Sequence, residues 1–215
     1  MTSERLSRYL DYFDEILPEA ACELLYRKPY ELLFAVMLSA QTSDASVNRI
    51  TPRLWTRFPT LESLASADRA EVESIIRSIG LFRHKAKNLI LAAQMLLKNH
   101  QGRVPSDKKA LMGLPGVGVK TAAVVRAELF QIPEIAVDTH VERIAKRLGF
   151  AQVKDGVTTV ERKLRKILPP ERYIKTHHQM IHFGRYHCPA RGMRCYECPL
   201  VDVCREKSKN LTRKE

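Results

Sequence analysis

The stretch Leu111-Met112-Gly113-Leu114-Pro115-Gly116-Val117-Gly118-Val119-Lys120-Thr121 constrains this chain more than any other. Helix formers lead into it from Asp107 to Leu111, and an amphipathic helical pattern leaves it from Lys120 to Phe130, so Leu114 to Gly118 must turn the chain sharply. Two glycines around one small apolar residue let backbone N–H groups approach an anion, because no Cβ stands in the way. The following helix aims its N-terminal N–H groups and positive dipole end at the same spot. Lys120 falls in the first turn of that helix. The stretch therefore reads as a phosphate-docking corner with an amine beside it. A nucleotide-binding P-loop is rejected, because Val119 separates Gly118 from Lys120-Thr121 and the preceding residues read as helix rather than strand. A helix–turn–helix corner without function is the alternative that this stretch alone leaves open.

Helical periodicity runs through the rest of the chain. Leu6, Leu10, Phe13 and Leu17 recur at near-helical spacing, Pro29 opens a helix that is apolar on most sides to about Leu38, and Ser43 or Asp44 caps a third with Val47, Ile50, Leu54 and Trp55 as its stripe. Further helices are predicted over about 60–66, 69–79, 83–98, 120–130, 139–148, 157–168 and 171–182. No alternating run bounded by turns asks to be a strand, so the fold class is all-α. Gln131-Ile132-Pro133 is a break between units, and the basic tail after Lys207 is the one candidate for disorder.

A length of 215 residues suits one or two units with a real core. The formal charge of +12 asks for an anionic partner, most commonly a nucleic-acid backbone. The N-terminus is charged and helical rather than a signal peptide, and the longest apolar run, Leu32 to Leu38, is too short for a bilayer. The expected location is intracellular, with no membrane partner.

Asp138, in Ala136-Val137-Asp138-Thr139-His140-Val141, precedes a helix and reads first as its N-cap. A capped carboxylate is also a fixed one, so a second role as partner of Lys120 is compatible. An ordinary lysine has a pKa of about 10.4, which leaves roughly one in 2,500 neutral at pH 7. A helix N-terminus and basic surroundings favour the neutral amine, whereas a static ion pair with Asp138 would oppose it. The expectation is that Asp138 assists proton removal during attack and stabilises positive charge developing on a sugar.

Cys188, Cys195, Cys198 and Cys204 form a C-x6-C-x2-C-x5-C array. Four thiols in so short a window can wrap one site, and the presence of a single short knuckle favours an iron–sulfur cluster over zinc. Cys22 stands apart and reads as a core residue, while His177, His178, His182 and His187 read mostly as surface or supporting groups. Between the first two cysteines, Arg191 and Arg194 project from a loop pinned at both ends and suit phosphate contact.

Taken together, these residues resemble the endonuclease III family of DNA base-excision glycosylases over essentially the whole chain. The resemblance is carried by Leu38-Ser39-Ala40-Gln41-Thr42-Ser43-Asp44, Ile79-Gly80-Leu81, the hairpin through Ala122, Val137-Asp138-Thr139-His140-Val141 and the four-cysteine loop. It implies a helix–hairpin–helix fold of two helical subdomains flanking a DNA-binding cleft. One spans 22–132; the other combines 1–21 with 133–215 and carries a [4Fe–4S] cluster on the four cysteines. It implies a bifunctional glycosylase and abasic-site lyase, monomeric and cytoplasmic (or nucleoid-associated in a bacterium). Its substrate is double-stranded DNA containing oxidised or reduced pyrimidines or abasic sites. Lys120 then attacks C1′, Asp138 assists, and the strand is nicked 3′ to the abasic site by β-elimination. Gln41 fills the gap left by the extruded nucleotide and Leu81 wedges the opposite strand. Gly116, Gly118, His140, Arg191 and Arg194 complete the DNA contacts. One departure is visible: family members often carry a basic residue and an asparagine where this chain has Val119 and Ala123.

Overall fold

Eleven α-helices appear in the computed structural model, which describes residues 1–212, and no strand occurs among the described residues. In chain order they are α1 (Ser3–Ile16), α2 (Pro29–Ser39), α3 (Asp44–Arg57), α4 (Leu61–Ala65), α5 (Arg69–Ile75), α6 (Phe82–His100), α7 (Lys108–Met112), α8 (Val119–Phe130), α9 (Thr139–Leu148), α10 (Val157–Ile167) and α11 (Tyr173–His182). The all-α expectation holds. The helices start where local chemistry tells them to. Side chains of Thr2, Ser43, Thr60, Asp68, Asp107 and Asp138 each accept a backbone N–H from the first turn that follows them. Pro29 occupies the first turn of α2, where its missing N–H costs nothing.

Two predicted helices differ most from expectation. The helix expected over 69–79 ends at Ile75, because the backbone breaks into turns on the way to Leu81, which is left-handed at φ 59°. The one expected over 171–182 begins as a 3-10 turn, Pro170–Arg172, and runs on into a π-turn, Phe183–His187.

The chain divides into two units. The hairpin unit is Glu23–Ile132 and the cysteine unit joins Met1–Cys22 to the chain from Pro133 onward. At the centre of the hairpin unit lies α2, whose residues 32–38 are all buried, which is why its sequence is apolar on every side. Helices α3, α6 and α8 pack on it, and α4 packs along α6. In the cysteine unit, Tyr9 and Phe13 of α1 share a core with Val141, Ile144 and Leu148 of α9, Val160 and Leu164 of α10, Met180 of α11 and Phe183. Asp14 ties α1 to α11 and the turn before it, accepting from Arg172 Nη1 at 2.8 Å and Gln179 Nε2 at 2.8 Å. The Arg172 guanidinium holds the Asp14 carboxyl well below the usual carboxylate range.

The tail after Lys207, expected to be disordered, is anchored at its start, since Asn210 Nδ2 donates to Met193 O at 2.9 Å. Residues 213–215 of that tail lie outside the described residues.

Candidate active site

The hairpin is built on buried pegs. Leu111, Leu114 and Val117 point into the core, so the turn between α7 and α8 is held from below while Gly118, Val119 and Lys120 are exposed. Its two glycines are present for different reasons. Gly116 has φ +82°, and a Cβ there would lie 2.8 Å from Asn88 Nδ2 and 3.1 Å from Met37 Cε. Backbone conformation and close packing on α2 and α6 both demand glycine at this position. Gly118, at φ −95°, has nothing within 4 Å of a would-be Cβ, so neither strain nor packing requires it. It serves as the N-cap of α8 and brings no side chain to that role, so the helix's first N–H groups are not covered by a cap. Lys120 stands in the first turn beside them. The helix begins one residue earlier than predicted, which makes Val119 part of that turn and half exposed, whereas Ala123 is buried. Of the two departures from the family pattern, only Val119 therefore lies on the surface beside the hairpin.

Gln41 and Leu81 also belong to the hairpin unit. Both are exposed, both are left-handed without being glycine, and each follows or precedes a core helix: Gln41 (φ 57°) comes just after α2 and Leu81 (φ 59°) caps α6. Large side chains on such turns are uncommon, because the Cβ crowds the following carbonyl.

Asp138, His140 and the cysteines lie in the other unit. Asp138 caps α9, its Oδ1 accepting from His140 N at 2.9 Å and Val141 N at 2.7 Å. Both bonds use one oxygen, so Oδ2 takes no part in the cap. His140 Nδ1 lies 3.2 Å from Arg143 Nη2, and Arg143 Nη2 also donates to Gly184 O at 2.7 Å. Burial pushes the His140 imidazolium pKa down, Asp138 pulls it up, and Arg143 and Arg185 push it down again. The net shift is downward, which favours a ring able to accept the Arg143 hydrogen bond on Nδ1.

Cys188, Cys195, Cys198 and Cys204 are all free, half-buried and line one small cavity of about 30 Å³ together with Arg147, His187 and Met193. Burial raises the pKa of Cys188, Cys198 and Cys204, so positive charge is needed nearby to keep them as thiolates. Arg147 supplies part of it, with Nη1 3.1 Å from Cys188 Sγ. Its guanidinium also donates to Cys188 O, Pro189 O and Ala190 O, which fixes the loop. Among the described residues, no three Cys, His, Asp or Glu side chains are grouped as a single metal ion requires. An all-thiol donor set around one cavity fits a polynuclear iron–sulfur group. Arg191 is exposed, and Arg194, also exposed, pairs with Glu197 at 3.1 Å.

Several groups have surroundings that no local sequence pattern signals. His177 and His178 are buried, as supporting rather than surface groups, and Cys22 is half-buried rather than core. Asn88, Arg147 and the buried Lys85 carry no local signature, because their partners lie far away in the chain.

A family model for the HhH-GPD superfamily of base excision DNA repair proteins matches residues 34–170. The chain belongs to this superfamily. It is similar to endonuclease III of Bacillus subtilis (strain 168), with 48% identity over 93% of this chain and 91% of the relative. Among solved structures, it resembles a non-covalent endonuclease III–DNA complex at TM-score 0.91 and 49% identity, covering 95% of this chain and 96% of the other. It also resembles a trapped endonuclease III–DNA covalent intermediate, an estranged-adenine complex, at TM-score 0.90 and 50% identity, covering 95% and 97%. The protein is thus a DNA base-excision repair enzyme, a glycosylase with abasic-site lyase activity. No helix among the described residues is long and apolar enough to cross a membrane.

Proposed function

We propose that the enzyme binds double-stranded DNA as a monomer inside the cell, removes oxidised or reduced pyrimidines, and nicks the strand 3′ to the resulting abasic site. The observation that carries this reading is the exposed Lys120 in the first turn of α8, behind a glycine cap that leaves the helix's leading N–H groups without a side-chain partner. Those N–H groups and the approach at Gly118 receive a DNA phosphate, and the amine is then beside the sugar.

A stacked base shields C1′, so the damaged nucleotide is first extruded at a cost of a few kcal/mol. Gln41 occupies the gap and Leu81 wedges the opposite strand, which offsets that cost. The Lys120 nitrogen attacks C1′ and the glycosidic bond breaks, its electron pair leaving with the base. Asp138 stabilises positive charge on the sugar and takes up the amine proton. Ring opening gives an imine between Lys120 and C1′. Loss of a C2′ proton then expels the 3′ phosphate, and water releases the unsaturated aldehyde from the lysine. Gly116 contributes its backbone to the hairpin contact, while His140, Arg191 and Arg194 add contacts along the DNA from the other unit.

Cys188, Cys195, Cys198 and Cys204 would hold a [4Fe–4S] cluster, which ties the loop carrying Arg191 and Arg194 when bound. Support comes from four thiols lining one shared cavity, an all-sulfur donor set of the kind that holds such clusters. Purified protein is expected to be brown with broad visible absorption, lost in Cys198→Ser; a colourless protein containing stoichiometric zinc would reject the cluster.

The function is tested by borohydride reduction of the enzyme with a duplex containing thymine glycol. A covalent protein–DNA adduct and a nick 3′ to the lesion are expected. Base release without any adduct would reject the lysine mechanism in favour of direct hydrolysis.

The two hairpin glycines give a further test. Gly116→Ala is expected to lower stability by about 1–3 kcal/mol, through left-handed strain and contact with Asn88 and Met37. Gly118→Ala is expected to leave stability within about 0.5 kcal/mol, yet weaken duplex binding about tenfold by standing between phosphate and amides. Thermal unfolding and fluorescence anisotropy measure the two effects separately.

A further inference from the structure

The two exposed side chains read above as gap-filler and wedge stand on separate turns, and one buried residue joins those turns. Lys85, in the first turn of α6, is 8% exposed. Its backbone N–H donates to Leu81 O at 3.0 Å, closing the turn on which Leu81 stands. Its side-chain ammonium reaches back to the end of α2 and donates to Leu38 O at 2.9 Å, Ala40 O at 2.7 Å and Thr42 Oγ1 at 3.0 Å. The last two acceptors flank Gln41 on either side. Three acceptors match the three N–H bonds of an ammonium, so the group is fully satisfied in a place where an unpaired charge would be costly.

We propose that Lys85 is a positioning residue for nucleotide extrusion: it fixes the Gln41 turn against the Leu81 turn, so that both side chains enter the duplex at a set separation. A simple helix cap does not account for the arrangement. Satisfying the end of α2 needs carbonyl contacts such as that to Leu38, whereas the bonds to Ala40 and Thr42 bracket a residue already beyond the helix. Gln41 is left-handed at φ 57°, a conformation that a non-glycine residue holds only when its surroundings enforce it. Thr42 adds its own N–H bond to Ser39 O at 3.0 Å, and Lys85 closes the other side of the turn. Asn88, one turn further along α6, lies under Gly116 together with Met37 of α2. The hairpin, the Gln41 turn and the Leu81 turn therefore rest on the same pair of helices, with Lys85 as the polar tie between two of them.

This inference rests on the reading of Gln41 and Leu81 as inserted side chains, and the test separates the two ideas. Lys85→Met keeps the length and apolar stem and removes all three donors. It is expected to slow excision of thymine glycol from a duplex at least tenfold and to reduce the rise in 2-aminopurine fluorescence that reports extrusion next to the lesion. Borohydride trapping on a single-stranded abasic oligonucleotide, which needs no extrusion, should stay within about twofold of the unsubstituted protein. In a Gln41→Ala, Leu81→Ala background, adding Lys85→Met should cost little more. Equal losses on duplex and single-stranded substrates, or no loss on either, would overturn the assignment. If Gln41→Ala and Leu81→Ala themselves leave duplex excision unchanged, the inserted-side-chain reading fails first. If they impair it while Lys85→Met does not, only the role of Lys85 falls. Should Lys85→Met not fold, Thr42→Val decides, since it removes one acceptor and keeps the lysine: a partial loss of the fluorescence rise supports the tie, and an unchanged rise overturns it.

Discussion

Lys120→Ala is expected to yield no borohydride-trapped adduct with lesion or abasic duplex and to lose strand cleavage by a factor on the order of 10⁴ or more. The side chain is exposed in the first turn of α8, so its removal leaves packing untouched and stability within about 0.5 kcal/mol. Borohydride delivers hydride to a C=N bond, converting the imine into a stable secondary amine, so the adduct reports one bond from one nitrogen. Lys120→Arg should fail equally, although it preserves charge, because a guanidinium stays protonated and cannot attack. Duplex binding by Lys120→Ala should fall only modestly, since the backbone amides of the hairpin remain. An adduct that persists in Lys120→Ala would move the nucleophile elsewhere and remove the basis of the proposed mechanism.

Asp138→Asn is expected to lower the rate of base excision by about 10²–10⁴-fold at nearly unchanged stability. Asparagine is as good an N-cap as aspartate, and its side-chain oxygen can accept the same two N–H groups from His140 and Val141. Only the charge and the basicity are lost. Asp138→Ala loses the cap as well and should cost about 1 kcal/mol of stability in addition. Comparing the two variants divides the structural role of the carboxylate from its chemical one. Full activity in Asp138→Asn would leave Asp138 as a helix cap and nothing more.

Much of this was legible because it depends on neighbours in sequence. A cap bonds two or three residues ahead, so Ser43, Asp107 and Asp138 announce the helices they start, and a run such as 32–38 announces a central helix by being apolar all round. The hairpin could be read for the same reason, as could the crowding of four cysteines into one loop. Sequence did not distinguish Gly116 from Gly118, which look alike in Leu-Pro-Gly-Val-Gly; only the packing of Asn88 and Met37 beneath one of them does so. Nor did it mark Lys85 as buried, because a lysine is ordinarily exposed and this one is held by acceptors more than forty positions away. Nor did it say which of the four histidines are buried: a helix face is polar or apolar by composition, but buried or exposed by what packs on it, as at His177 and His178. The sequence by itself determined most of the helices, most of their starts, the turn beside Lys120 and the crowding of four cysteines into one loop, all of which follow from short-range geometry. The tertiary structure alone decided which glycine is structural, which charges are buried, and how the turns carrying Gln41 and Leu81 are joined, because those depend on contacts between residues distant in the chain.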